Sequence, residues 1–165
     1  MSIGYARPVT PSLASLLVDA TERSLTDALG RLDELGFRGL TVSNAFAVQL
    51  VGAGVATITA LAEAMRMTPQ AVSTIVNQLE ARALVMRGRS GRDARAKTLT
   101  LTDEGQRLAD AIAAALADGE RAWAELVGAE RLSDLRATIT AYLADPAPVG
   151  GAASGRRRPR RVRIV

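Results

Sequence analysis

Two helical segments followed by an arginine-rich hairpin, between Thr59 and Gly105, constrain the fold of this chain most. Apolar residues recur at helical spacing on both sides of Thr68-Pro69. Threonine as an N-cap followed by proline at the first helical position marks the start of a new helix. Two helices joined by a short turn, and then two alternating strands, predict a helix-turn-helix with a β-hairpin wing.

The second of these helices is amphipathic. Its apolar stripe is predicted to be buried and consists of Val72, Ile75, Val76, Leu79 and Ala83. The opposite face carries polar residues at i, i+3, i+4 and i+7: Gln70, Ser73, Thr74 and Asn77, with Gln78 at the flank. Short polar side chains of this kind can hydrogen-bond to base edges or phosphates. The alternative is an ordinary solvent-facing surface, because most such surfaces are polar.

The hairpin after this helix is basic. Its strands are predicted at 84–89 and 97–101, with Ser90-Gly91 as the turn. Its basic residues are Arg87, Arg89, Arg92, Arg95 and Lys97, and Asp93 is the one acid among them. Arginines on such a ribbon suit the narrow, negative minor groove of DNA, and Asp93 is expected to hold Arg95 extended through a bidentate pair. The alternative is an exposed hairpin that uses arginine for solubility.

Long apolar stripes flank this segment. Abundant alanine and leucine, with only five aromatic residues, favour a mainly α protein. Helices are expected at 12–35, 42–51 and 103–144, the last range being interrupted near Gly128. A body this small cannot cover all the apolar residues of 12–35 and 103–144, which favours a dimer. An intrachain bundle is the alternative.

Cysteine and histidine are both absent. Their absence excludes disulfides, thiol chemistry and Cys/His zinc sites, and removes the usual general base at neutral pH. We therefore expect no enzyme activity, no metal and no cofactor. There is no apolar run of about 18 residues and no signal-peptide pattern, so we expect no membrane association and a cytoplasmic location.

Positive charge is concentrated in two places. The net charge is +4, and six arginines lie at 156, 157, 158, 160, 161 and 163. The other 15 of the 21 basic residues are matched by 17 acids, so the body is slightly acidic. The basic character is thus local, in the 82–97 stretch and the tail, which favours a nucleic-acid partner.

Taken in order, these motifs resemble the MarR family of bacterial winged-helix regulators. The general matches are Leu61-Ala62, Thr68 with Val72 and Leu79, and Ala83-Leu84-Val85. The more specific ones are Asp93-Ala94-Arg95, similar to the family's Asp-x-Arg, and Leu101-Thr102-Asp103-Glu104-Gly105, similar to its Leu-Thr-x-x-Gly. The flanking helices extend the resemblance to about 12–145.

The resemblance implies a mainly α fold with a small β-hairpin wing: a winged helix-turn-helix flanked by N- and C-terminal dimerisation helices. The implied protomer spans 12–145, with its DNA-binding lobe at 55–101 and dimerisation helices at 12–35 and 103–144. A flexible N-terminus at 1–11 would precede it. A Pro/Gly linker and arginine-rich tail at 146–165 would follow, as a DNA-clamping arm or a solvated end.

Departures from the family pattern affect the expected phosphate contacts. Many members carry a basic residue near the positions of Pro69 and Thr74, and both are uncharged here. Phosphate contacts must therefore come from elsewhere, and the candidates are Arg66, Arg82 and the wing. Thr68, at the start of the recognition helix, is also a candidate DNA contact. Ala83 stands where glycine is common.

Family members often respond to small phenolic or amphipathic ligands bound between the dimer helices and the DNA-binding lobe. Candidate pocket walls here are Leu17, Phe46 and Trp123, and each also suits an ordinary core. The implied ligand is a small amphipathic or aromatic molecule.

The sequence thus predicts a homodimeric, sequence-specific transcriptional regulator that binds double-stranded DNA at a pseudo-palindromic operator, as a repressor released by a small ligand. One alternative is a weakly specific architectural protein that depends on its arginine-rich tail. A small enzyme or a protein-interaction module on a winged-helix frame is another, and an enzyme would need two close, inward-facing carboxylates.

Overall fold

The computed structural model describes the backbone of residues 11–90 and 93–144, and side chains within 11–88 and 98–144. These residues form six helices and one hairpin: α1 (Leu13–Glu34), α2 (Val42–Gly52), α3 (Ile58–Met65), α4 (Pro69–Ala81), β1 (Val85–Ser90), β2 (Asp93–Leu101), α5 (Asp103–Val127) and α6 (Ala129–Ala144). The two strands pair antiparallel. The predicted fold class, mainly α with a small wing, is confirmed.

Hydroxyl side chains cap the helices of the winged-helix segment. Thr57, Thr68 and Thr102 each accept a hydrogen bond from the backbone N–H three residues further on, at 3.1, 3.2 and 2.9 Å. Pro69 follows Thr68 at the first helical position of α4, as predicted. Thr57 is the N-cap of α3. Such starts are readable from sequence because cap chemistry is local.

The core lies where α2, α3, α4 and the wing pack beneath the first half of α5. Its largest fully buried side chains are Leu32, Val48, Leu61, Val72, Val76, Leu79, Leu84 and Leu108. Val72, Ile75, Val76 and Leu79 are all buried, so the apolar stripe of α4 faces inward and its polar strip faces out. Ala83 was expected on this stripe and is exposed instead, because α4 ends at Ala81.

Ala83 lies in a left-handed turn between α4 and β1. Its φ is 54°, a conformation that glycine adopts without steric penalty and that other residues adopt with difficulty. The turn therefore explains why glycine suits this position. Alanine tolerates it here with the support of backbone hydrogen bonds from Ala83 N to Glu80 O and from Leu84 N to Leu79 O, both 2.9 Å.

The start of α5 is locked against this same turn. Thr102 Oγ1 donates to Ala83 O at 2.6 Å, and the Thr102 backbone N–H donates to Leu84 O at 3.2 Å. Gly105 packs so tightly that an added Cβ would lie 1.9 Å from Leu84 O. The Leu-Thr-x-x-Gly segment is thus the joint that fixes α5 relative to α4 and the wing.

The outer helices expose a large apolar surface within one protomer. α1 packs on α5, where Arg31 Nη1 lies 2.9 Å from Asp118 Oδ2, yet Leu13 is 70% exposed. α6 buries none of its residues. Leu126 at the end of α5 and Leu143 on α6 are 84% and 64% exposed. Packing among the described residues therefore leaves these apolar side chains uncovered within one protomer.

None of the described helices combines the length and apolarity needed to span a membrane.

Candidate nucleic-acid interface

The polar strip of α4 lies on the surface, where sequence reasoning placed it. Gln70, Thr74, Asn77 and Gln78 are exposed, and so is the N-cap Thr68, whereas Ser73 is half-buried.

Two hydroxyls of this strip bond to the helix itself. Ser73 Oγ donates to Pro69 O at 2.8 Å, and Thr74 Oγ1 donates to Gln70 O at 3.2 Å. Because each hydroxyl donates its hydrogen within α4, its oxygen is left to act as an acceptor toward a partner outside the helix.

Arg87 joins the base of the wing to α4. Its Nη1 lies 2.8 Å from Glu80 Oε2, and its Nη2 donates to Asn77 Oδ1 at 2.8 Å. The sequence suggested Arg87 as a wing or phosphate contact, whereas the structure directs two of its donors to α4. Sequence reasoning missed Glu80, since no local pattern relates it to a residue on the next strand.

A second polar contact joins Gln78 on the surface of α4 to the buried residue Asn44 of α2. Gln78 Oε1 accepts a hydrogen bond from Asn44 Nδ2 at 3.2 Å. Asn44 also closes a capping box with Thr41 at the start of α2. It is the one buried polar residue among the side chains that the structure describes. The capping box has a sequence signature, but the bond to Gln78, 34 residues away, has none.

The other two candidate phosphate contacts have different surroundings. Arg82 donates through its guanidinium to Arg38 O at 2.8 Å and Gly39 O at 3.4 Å, which anchors the loop between α1 and α2. Arg66 ends α3 in the left-handed conformation, with φ 55°, and is exposed. Both arginines are exposed, and the guanidinium of Arg82 already donates to two backbone carbonyls.

The tip of the wing is only partly described. The backbone pairs Arg89 with Lys97 and Ser90 with Asp93, with a register shift between Arg89 and Ser90. β2 begins at Asp93, four residues before the predicted start at 97. The prediction missed these residues because charged side chains among them interrupt the alternation of apolar and polar residues that marks a strand. The predicted roles of the Arg89, Arg92, Asp93, Arg95 and Lys97 side chains, including the Asp93–Arg95 pair, lie outside the described side chains, and so does the predicted turn at Gly91.

An apolar cavity of about 240 Å³ lies between α1, α2 and α5. Phe46, predicted as a ligand-pocket wall, lines it together with Leu25, Leu29, Val42, Ala45 and Leu116 among others. Gln49 supplies the one amide at the wall, and its Nε2 donates to Ala109 O at 3.1 Å. The cavity is thus suited to an apolar or aromatic molecule.

The other two predicted pocket walls lie elsewhere. Trp123 lines a separate groove of about 370 Å³ between α1 and α5, and Leu17 lines neither this groove nor the cavity. The structure therefore does not bring Leu17, Phe46 and Trp123 together. Helical periodicity identified them as apolar, but could not assign them to a common wall.

The charged groups that the structure describes do not form an acid–base site. Glu120 raises the pKa of Arg136 through a hydrogen bond and its charge, at the exposed contact between α5 and α6. No carboxylate is buried among the described side chains, and no cluster of acids there could hold a metal ion. The paired inward-facing carboxylates that an enzyme would need are not found in this part of the chain.

Comparison with known proteins shows which family the chain resembles. Residues 38–96 match the model of the MarR family. Reduced MarR from E. coli is similar with a TM-score of 0.70 and 15% identity, covering 81% of this chain and 98% of that one. The S. aureus MepR–DNA complex gives a TM-score of 0.66 and 20% identity, covering 82% and 98%. No curated protein matches the chain significantly.

A MarR-family transcriptional regulator from Rhodococcus sp. RHA1 gives a TM-score of 0.62 at 23% identity, covering 84% of this chain and 100% of that one. The resemblance to the MarR family is therefore confirmed, and the chain has the winged-helix fold of that family's DNA-binding regulators.

Proposed function

We propose that this protein is a homodimeric, sequence-specific DNA-binding transcriptional regulator of the cytoplasm. The observation that carries the proposal is the arrangement of α4 and the wing. The exposed polar strip of α4 and the basic hairpin belong to one lobe. Arg87 of the hairpin connects them, because its Nη2 donates to Asn77 Oδ1 of the strip at 2.8 Å. A helix of 13 residues with an outward polar strip fits the major groove, and an adjacent arginine ribbon fits the neighbouring minor groove.

The proposed lobe comprises about residues 55–101, and the proposed dimerisation helices comprise α1, α5 and α6. Support for the dimer comes from the apolar side chains that one protomer leaves exposed on these helices. A two-fold dimer would present two copies of α4 to successive major grooves, about 34 Å apart, and so favours a pseudo-palindromic operator.

We further propose that a small apolar or aromatic ligand in the cavity of about 240 Å³ weakens DNA binding, so that the protein acts as a ligand-released repressor. α2 supplies Val42, Ala45 and Phe46 to the cavity wall and carries Asn44, which bonds to Gln78 of α4. A ligand that shifts α2 would therefore shift the recognition helix as well. Such coupling requires a different ligand affinity in the two arrangements.

The wing is tested by replacing Arg95 with alanine. We expect weaker binding to every DNA sequence and a salt dependence lowered by about one counterion, because a phosphate-contacting arginine gives affinity without base information. Fluorescence anisotropy at several salt concentrations measures both quantities. The control is Arg131→Ala, which removes an exposed arginine from α6. Parent-like binding by Arg95→Ala at all salt concentrations would show that the wing does not contact DNA.

The same titrations on a chain without residues 150–165 separate the two DNA-binding hypotheses. A sequence-specific regulator should retain its preference for one site over random duplex, even if its affinity falls. An architectural protein that depends on the arginine-rich tail should lose nearly all its affinity.

The cavity is tested by filling it. Ala45→Leu places a larger side chain at the wall, so the concentration of a small aromatic compound needed to release DNA should rise at least about tenfold, while DNA affinity stays near that of the parent. A panel of substituted phenols and aromatic amines screened by DNA release supplies the compound. The control is Ala113→Leu on the exposed side of α5. If no compound releases DNA from the parent, or Ala45→Leu responds as the parent does, the cavity is not the effector site.

A further inference from the structure

Asn77, Glu80 and Arg87 form a chain of side-chain contacts at the junction of α4 and β1. Arg87 Nη1 lies 2.8 Å from Glu80 Oε2, and Arg87 Nη2 donates to Asn77 Oδ1 at 2.8 Å. Asn77 and Glu80 are three residues apart, so they lie on one side of α4, and a single guanidinium spans both. The charged side chains are 32% and 27% exposed, so bulk water screens the ion pair only in part.

This contact determines how the Asn77 amide is oriented. A guanidinium donates five hydrogen bonds and accepts none, so the amide must turn its oxygen toward Arg87. The Nδ2 group, with two donors and no acceptor, is therefore turned away from Arg87. Since Asn77 is exposed on the outer strip of α4, this donor end is the part of the amide available to DNA.

An unconstrained asparagine typically reads adenine by accepting from N6 and donating to N7 at the same time. Arg87 takes one of the two lone pairs of this oxygen, and a bond already accepted from a charged donor makes the oxygen a weaker acceptor for N6. A donor alone prefers bases that present acceptors in the major groove: guanine with O6 and N7, and thymine with O4. Cytosine presents only an amino donor in the major groove, and adenine presents one acceptor, N7, beside its N6 amino donor, whereas guanine offers two acceptors to the two hydrogens of Nδ2.

We infer that Glu80 and Arg87 are positioning residues that orient Asn77 to read a keto base, guanine or thymine, in preference to adenine or cytosine. The inference rests on the proposed function, because it assumes that α4 lies in the major groove. Glu80 fixes the guanidinium from one side, and Arg87 in turn neutralises a carboxylate that would otherwise repel the DNA phosphates.

The inference is tested by selecting bound sequences from a random duplex pool and comparing base preferences among variants. Asn77→Ala identifies the base pair that Asn77 reads, as the one position per half-site where preference is lost. In the parent chain that position should favour a keto base about tenfold, the usual scale for one discriminating contact. The double variant Glu80→Gln/Arg87→Met removes the donor to Asn77 without changing the net charge.

We expect this double variant to lower the keto preference to about threefold or less at that position and to admit adenine, while preferences elsewhere in the site stay unchanged. Glu80→Gln by itself keeps Arg87 as the donor to Asn77 but removes the ion pair that holds the guanidinium in place. It should therefore reduce the keto preference at that position by about half. It also serves if the double variant folds poorly. The matched control is Glu120→Gln/Arg136→Met, which removes an ion pair of the same 2.8 Å length between α5 and α6.

The outcomes distinguish failure of the proposed function from failure of the inference about Asn77 alone. A parent chain that selects no sequence overturns the proposed function and this inference with it. A parent that selects a site overturns only the inference if Asn77→Ala changes no position, if the Asn77 position favours adenine, or if both Glu80 variants keep the parent's base preference there.

Discussion

Replacing Gly105 with alanine should lower the free energy of unfolding by about 3 kcal/mol or more. The added Cβ would lie 1.9 Å from Leu84 O and 2.9 Å from Leu84 C, and both are backbone atoms that no rotamer change can move aside. Either α5 must shift away from the α4–β1 turn, or the hydrogen bond from Thr102 Oγ1 to Ala83 O must break. Denaturant titration followed by circular dichroism measures the loss, and the melting temperature should fall by about 10 °C.

The matched control is Gly30→Ala in the middle of α1, where an added Cβ meets nothing within 4 Å. Since alanine favours a helix interior over glycine, this variant should be stabilised by up to about 1 kcal/mol. Equal stability of Gly105→Ala and the parent would mean that α5 does not approach the turn as closely as the structure indicates.

Placing glutamate at both Leu16 and Leu143 should dissociate the proposed dimer and reduce operator affinity about 100-fold or more. Both side chains are largely exposed within one protomer, at 47% and 64%, so the substitutions leave the protomer's own core intact. In a dimer they would bury four carboxylates in an apolar interface. A monomer also loses the gain in effective concentration that links two half-sites.

Light scattering at micromolar concentration measures the mass, and anisotropy measures the affinity for a two-site and a one-site duplex. The control is the double variant Thr26→Glu/Thr140→Glu, which adds the same charges at exposed polar positions of α1 and α6. A Leu16→Glu/Leu143→Glu chain that keeps the dimeric mass would place the dimer interface elsewhere. A parent that is monomeric at this concentration would contradict the dimer itself.

The first prediction concerns the start of α5, and the second concerns α1 and α6, the two outer helices that pack on α5. At its start, Gly105 and Thr102 join α5 to the turn that leads into the wing, and at its end Leu126 stands 84% exposed. The same helix thus connects the candidate DNA-binding lobe to the proposed dimer surface. A shift of α5 at the proposed dimer surface would therefore be transmitted to the α4–β1 turn through the hydrogen bond from Thr102 Oγ1 to Ala83 O.

Several features of the fold were predictable because their causes lie within a few residues. Thr68-Pro69 starts α4, and Thr102 starts α5, since each hydroxyl bonds to the backbone three residues on. The outward strip of α4 followed from helical periodicity, because its apolar stripe of Val72, Ile75, Val76 and Leu79 leaves one side for polar residues.

Other features were not predictable because their causes join distant residues. The sequence placed Ala83 on the buried stripe of α4, but the helix stops earlier so that the chain can turn into the wing. Leu17, Phe46 and Trp123 were all identified as apolar, and yet only the packing of α1, α2 and α5 decides which of them lines the cavity.

The sequence by itself determined the order of the elements, the caps that start them and the side chains that α4 turns outward, because those properties depend on neighbours along the chain. Only the tertiary structure decided that Arg87 is held by Glu80 and orients Asn77, and that Gln78 bonds to Asn44. Hydrogen-bond partners must lie within about 3 Å of each other, and such proximity between different elements arises from packing, which the residues along one element do not specify.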